Sequence, residues 1–118
     1  MRILILEDDP IIADDLQAIL EGEGHEIVGA FASTIAAQAH LEDRVDCALL
    51  DIDVIGGKSY GVAAELMERG IPFAFVSASQ RAELPASLRQ VPFIAKPYRE
   101  GAILQFVGRT TSMALTCH

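Results

Sequence analysis

The sequence predicts an α/β protein in which a parallel β-sheet is covered by helices on both faces. Short apolar runs that indicate strands alternate five times with segments of helical periodicity. The strand segments, such as residues 3–6, are apolar at nearly every position, which is typical of strands buried on both faces. At 118 residues the chain is long enough for one core-forming domain, predicted over residues 1–113 with a frayed tail at 114–118.

The first strand is followed by a helix with clear start and stop signals. Asp9 is positioned as the N-cap and Pro10 as the first helical residue. Apolar residues at spacings of three and four then mark one face, and Gly22 and Gly24 end the helix. A short second strand is predicted over residues 26–30.

The middle of the chain continues the alternation. A second helix begins at the serine and threonine of residues 33–34 and runs to about residue 42, and the central strand covers residues 46–51. Residues 55–59 are rich in glycine and predict a loop. A third helix begins near Ser59 or Tyr60 and ends at Gly70.

The last third contains two strands and one clear helix. Residues 71–76 form the fourth strand, whose proline near the start is tolerated there. Residues 80–90 are interrupted by a proline and predict a short helix, or a loop with one helical turn. Residues 93–95 form the fifth strand, and a final helix covers about residues 100–112.

Polar side chains follow four of the predicted strands. Glu7 and Asp8 follow the first, Asp51 the third, Ser77 the fourth and Lys96 the fifth, so all are expected at the carboxyl edge of the sheet, where such folds place their sites. Clustered carboxylates repel unless a cation offsets them, and hard oxygen ligands with room for water suit Mg²⁺. These residues predict a phosphoryl-accepting site in which a metal-bound Asp51 is the nucleophile and Lys96 pairs with a phosphate oxygen.

This combination resembles the receiver domain of two-component response regulators, a flavodoxin-like phosphoacceptor module, over nearly the whole chain. The marks of the resemblance are, in chain order, Glu7-Asp8-Asp9, Asp51, Ser77 and Lys96-Pro97. The resemblance implies a doubly wound five-stranded sheet of order 2-1-3-4-5 and a single-domain signalling protein.

The resemblance also implies a role for each site residue. Asp51 would be the phosphorylation site and Asp8 a direct Mg²⁺ ligand. The backbone carbonyl of Asp53 would be the third protein ligand, and Glu7 would act on the metal through water. Lys96 would hold the phosphate, in a Lys-Pro pair whose peptide is often cis in the family.

Two further positions correspond to the family's conformational switch. Ser77 matches the switch hydroxyl, and Phe93 matches the aromatic that turns inward on activation. The sequence departs from the common pattern at Ile55, where many receivers have proline, and the loop that follows looks like that of small stand-alone or kinase-linked receivers. The weak helix signals after Ser77 put the usual output face, which includes the fourth helix, in doubt.

The function implied is a switch and not an enzyme acting on other substrates. A histidine kinase or phosphotransfer protein would phosphorylate Asp51, and output would pass through contacts with such a partner or with a second copy of the chain. One alternative is a phosphatase, because Asp51-Ile52-Asp53-Val54 also resembles the Asp-x-Asp-x motif of the haloacid-dehalogenase type. Another is a receiver-like docking module that takes no phosphate.

Composition excludes several other classes of function. The net charge of −8 and the lack of basic runs argue against a nucleic-acid surface. No apolar run approaches the roughly 20 residues of a membrane-spanning helix, and we predict a cytoplasmic protein. Cys47 and Cys117 are too isolated for a disulfide framework or a metal site.

Overall fold

The computed structural model describes the backbone of residues 1–116 and the side chains of residues 1–110. Within residues 1–116 there are seven strands and four α-helices. In chain order they are β1 (Arg2–Leu6), α1 (Pro10–Gly22), β2 (Glu26–Phe31), α2 (Thr34–Gln38), β3 (Cys47–Leu50), β4 (Asp53–Val54), β5 (Gly57–Lys58), α3 (Tyr60–Glu68), β6 (Phe73–Ser77), β7 (Phe93–Ala95) and α4 (Glu100–Thr116). None of these helices has the length and apolar character needed to cross a bilayer.

Five parallel strands form the main sheet in the order β2-β1-β3-β6-β7, and β4 and β5 form a separate antiparallel hairpin. With the hairpin set aside, this is the predicted order 2-1-3-4-5, so the flavodoxin-like fold is confirmed. The direction of winding reverses between β1 and β3, which lie side by side. The carboxyl ends of these two strands are therefore where a ligand site is expected in this fold.

Both faces of the sheet are buried, which explains why its strands are apolar throughout. Ile3 and Ile5 of β1 point into the cluster beneath α1 and α4, whereas Leu4 and Leu6 point into the cluster beneath α2 and α3. All four side chains are fully inaccessible to solvent. Cys47 is also buried, which raises the pKa of its thiol to about 12.

The first helix begins as its sequence predicts. The Asp9 carboxylate accepts hydrogen bonds from two backbone N–H groups of the first turn, at 2.9 and 3.4 Å, and Pro10 is the first helical residue. The hydroxyl of Ser33 caps α2 in the same way, accepting from the N–H of Ala36 at 3.2 Å. These side chains satisfy N–H groups that have no partner within the helix.

Four segments differ most from the prediction, and other boundaries shift by one or two residues, as in β6, which begins at Phe73 and leaves Pro72 outside the strand. Helix α2 ends at Gln38, before residue 42, and the predicted loop at 55–59 contributes to the β4–β5 hairpin. Residues 80–90 contain two short 3₁₀ turns, Arg81–Glu83 and Ala86–Leu88, because Pro85 lies between them and has no N–H to continue a helix. Helix α4 continues to Thr116, past the predicted end near residue 112. Residues 117 and 118 lie outside the described residues, and the boundary at residue 113 with its tail stays a prediction.

Candidate functional site

Three side chains from three strand ends meet at the carboxyl edge of the sheet. Glu7 follows β1, Asp51 follows β3 and Lys96 follows β7. The ammonium of Lys96 donates to Glu7 Oε1 at 2.6 Å and to Asp51 Oδ2 at 2.9 Å, reaching across the end of β6. The side chain of Lys96 is only 14% exposed, that of Glu7 2% and that of Asp51 12%, so water screens their charges weakly.

Asp8 completes an acidic cluster beside this contact. One carboxylate oxygen from each of Glu7, Asp8 and Asp51 lies within 4.8 Å of the others. Asp8 is exposed and Asp51 half-buried, whereas Glu7 is buried, so the cluster opens to water on one side. Carboxylate oxygens with an open, wet side suit Mg²⁺, which retains several of its waters when bound. The donor set of this chain therefore fits a magnesium ion.

The electrostatics of the site follow from burial and from this close contact. Burial raises the pKa of Glu7, and hydrogen bonds from Lys96 and from the N–H of Asp9 offset only part of that effect. Burial alone would lower the pKa of Lys96, but its hydrogen bonds to Glu7 and Asp51 outweigh burial, and its pKa is raised. Lys96 is therefore protonated at neutral pH and offsets the charge of the two carboxylates.

The backbone of Asp51 is fixed on both sides. Its N–H donates to the carbonyl of Leu6 at 2.8 Å, which joins the ends of β1 and β3. Its carbonyl accepts a hydrogen bond from the Ser59 hydroxyl at 2.6 Å, and its Oδ1 accepts from the N–H of Ile52 at 2.7 Å. The sequence indicated Ser59 only as a possible helix start, and nothing in its spacing shows that its hydroxyl turns toward Asp51.

Asp53 lies on the hairpin next to the cluster but turns its side chain elsewhere. Asp53 and Lys58 are opposite each other in the β4–β5 pair, and the Lys58 ammonium forms an ion pair with the Asp53 carboxylate. Both side chains are exposed, so solvent screens this ion pair. The side chain of Asp53 is not part of the acidic cluster, and the role of its backbone carbonyl stays a prediction.

The two predicted switch residues lie on neighbouring strands but are not opposite each other. Ser77 ends β6, is buried, and its hydroxyl accepts from the N–H of Ser79 at 3.1 Å. Its carbonyl accepts from the backbone N–H of Lys96 at 2.9 Å, which links it to the site. Phe93 is half-buried at the start of β7, where the register aligns it with Phe75 instead of Ser77. The Lys96–Pro97 peptide is cis, as the resemblance implied.

Known proteins with similar sequences and folds identify the class of this chain. The curated relative PhyR, a phyllosphere-induced regulator of Methylorubrum extorquens, is 37% identical over 104 residues, which cover 83% of this chain and 39% of PhyR. The solution structure of SdrG from Sphingomonas melonis is 33% identical, covers 94% of this chain and 96% of its own, and superimposes with a TM-score of 0.81. The response regulator PhyR from Brucella abortus is 25% identical, with a TM-score of 0.80 over 99% of this chain and 51% of that one.

No protein-family model matches the sequence. The sequence relatives and structural neighbours nevertheless agree, and the chain belongs to the receiver domains of response regulators. It spans less than half the length of the curated relatives that it matches, between 30% and 44%.

Proposed function

We propose that this chain is a phosphoryl-accepting switch in which Asp51 receives the phosphoryl group. The observation that carries the proposal is the Lys96 ammonium bound to both Glu7 and Asp51, with the Asp8 carboxylate beside them. This arrangement supplies a nucleophile, a cation for the phosphate and an acidic pocket for a metal ion, all at the mouth of the sheet. Phosphoryl transfer depends mainly on such positioning and charge stabilisation.

The residues have the following roles in the proposed transfer. A carboxylate oxygen of Asp51 forms a bond to phosphorus as the bond from phosphorus to a histidine nitrogen of the donor breaks, and that nitrogen keeps the electron pair. Lys96 exchanges its contact with Asp51 for a contact with a phosphate oxygen. The Ser77 hydroxyl donates a hydrogen bond to a second phosphate oxygen. The donor is a histidine kinase or a histidine phosphotransfer protein.

Magnesium would reduce the repulsion between Asp51 and the incoming phosphoryl group. Its proposed ligands are the carboxylates of Asp8 and Asp51 and the backbone carbonyl of Asp53, with Glu7 acting through water. Ser77 and Phe93 would then relay the change to a surface that binds a partner or a second copy of the chain. The cytoplasmic location and the extent of the domain stay predictions from the sequence.

The pairing of Asp53 with Lys58 favours the switch over the phosphatase alternative. A phosphatase of the Asp-x-Asp-x type uses the second aspartate side chain as an acid–base group, whereas here that carboxylate forms an ion pair with Lys58 across the hairpin. Replacing Asp53 by Asn separates the two functions, since a switch that uses only the backbone carbonyl still accepts phosphate.

The experiment is intact-mass measurement after incubation with Mg²⁺ and acetyl phosphate, on the wild-type protein and on Asp51→Asn. We expect one phosphoryl adduct that requires Mg²⁺ and is absent from the variant. Asp46→Asn is the matched control, because Asp46 precedes β3 at the opposite end of the strand and should leave the adduct unchanged. Absence of an adduct on the wild-type protein would contradict the proposal and support a docking module.

A further inference from the structure

The structure assigns Ser59 as a positioning residue that holds the loop after Asp51 in the shape needed for metal binding. This inference rests on the proposed function. Ser59 is an uncharged residue and is not itself a proposed metal ligand. It fixes the backbone that carries two of the proposed ligands. Two observations support the inference: Ser59 is completely buried, and both its hydroxyl and its N–H donate to the backbone carbonyls of residues 51 and 52.

Ser59 bonds two consecutive carbonyls just beyond β3. Its hydroxyl donates to the carbonyl of Asp51 at 2.6 Å, and its N–H donates to the carbonyl of Ile52 at 2.9 Å. The pairing of β3 with its neighbours ends at Leu50, so the sheet does not supply these donors. Ser59 therefore continues the hydrogen bonding past the end of the strand.

The Ser59 hydroxyl bonds the Asp51 carbonyl instead of capping the helix that follows it. Ser59 is the N-cap of α3, yet its side chain accepts no hydrogen bond from that helix, whereas Ser33 caps α2 in the expected way. A buried serine that leaves its helix without a side-chain cap and bonds the backbone of Asp51 serves the site more than the helix.

The geometry shows what the contact controls. The two carbonyls belong to the peptide units that connect the Asp51 carboxylate to the Asp53 carbonyl. By closing residues 52–58 onto Asp51, Ser59 sets the relative orientation of these two proposed Mg²⁺ ligands. A group that orients ligands in this way contributes to metal affinity without touching the ion.

The test combines Mg²⁺ titration calorimetry with hydrogen exchange of residues 52–58, on the wild-type protein and Ser59→Ala. We expect the variant to bind Mg²⁺ about tenfold more weakly and to exchange faster in the hairpin before any metal is added. Thr110→Val is the matched control, because it removes another buried hydroxyl that donates to a backbone carbonyl, that of Phe106 at 3.0 Å. It should lower stability without changing Mg²⁺ affinity.

Ser59→Cys puts a slightly larger and only weakly donating thiol in place of the hydroxyl, so its Mg²⁺ affinity should fall between those of the wild-type protein and Ser59→Ala. It also provides the comparison if Ser59→Ala does not fold. Wild-type affinity and wild-type exchange in a folded Ser59 variant would overturn this inference alone. A wild-type protein that does not bind Mg²⁺ would overturn the proposed metal-dependent function together with it.

Discussion

Two lysines each bind an aspartate just after β3, and they differ mainly in how much water reaches them. Lys96 lies between Glu7 and Asp51 with 14% of its side chain exposed, whereas Lys58 pairs with Asp53 across the hairpin with 52% exposed. The first contact joins two distant strand ends, and the second joins neighbours in a surface turn. The chemical groups are the same, so burial decides which contact supports the fold and the site.

The energetic reason is the cost of leaving a charge without its partner. Removing one member of a buried ion pair leaves the other charge in a poorly hydrated place and costs several kcal/mol. In an exposed pair, water replaces the lost partner at little cost. Aspartates only two residues apart are thus expected to respond very differently to loss of their lysines.

The largest expected effect is that of Lys96→Met. The variant leaves two carboxylates facing each other at the end of the sheet, and we expect the free energy of unfolding to fall by about 3 kcal/mol. Chemical denaturation at neutral pH measures this, with Lys58→Met as the matched control. Equal, small losses in both variants would contradict the idea that burial separates the two pairs.

A smaller effect is expected for Arg81→Ala, which removes an exposed cation that binds backbone carbonyls instead of a carboxylate. The Arg81 guanidinium donates to the carbonyls of Arg89 and Val91 at 2.7 and 2.8 Å and lies 5.6 Å from the ring centre of Phe93. Its loss should lower stability by about 2 kcal/mol and speed amide exchange across residues 80–92. Arg99→Ala, at another exposed arginine, is the control; the same exchange pattern in both variants would refute the role of the Arg81 hydrogen bonds.

Asp9→Ala extends the comparison to an exposed carboxylate that binds backbone N–H groups instead of a cation. We expect a loss of about 1 kcal/mol, because α1 loses its N-cap. Thermal unfolding should show most of the loss recovered in Asp9→Ser. Asp14→Ala, on the exposed part of the same helix, should change the melting temperature little. No difference between the Asp9 and Asp14 variants would show that the cap contributes nothing.

The smallest expected effect is that of Lys58→Met. Its ion pair is exposed, so the melting temperature should stay within measurement error of the wild-type value, at both low and high salt. A clear destabilisation would show that the hairpin depends on this pair and would remove the contrast with Lys96.

Most of the fold could be predicted because its signals are local. Apolar strand runs, the Asp9-Pro10 helix start and the glycine stops each depend on neighbouring residues, and each is found where expected. The convergence of Glu7, Asp8, Asp51 and Lys96 was also predictable, since parallel strands bring their carboxyl ends to one edge. The roles of these residues in phosphoryl transfer stay a proposal.

Other features depend on contacts that leave no periodic pattern. The segment from residue 80 to 90 is held by arginine side chains bonded to backbone carbonyls, in addition to the hydrogen bonds within its two short 3₁₀ turns. The hairpin at 53–58 forms where glycines at 56 and 57 have positive φ, yet the same glycines fit an open loop equally well. Ser59 could be predicted only as a residue near the start of the third helix, because the segment that follows it is helical.

The sequence by itself determined the parallel α/β architecture and the set of charged residues at one edge, because periodicity and strand ends are properties of short stretches. Only the tertiary structure decided which lysine is buried between carboxylates and which is exposed to water, and where the hydroxyl of Ser59 points. The physical reason is that burial and hydrogen-bond direction depend on the packing of segments far apart in the chain.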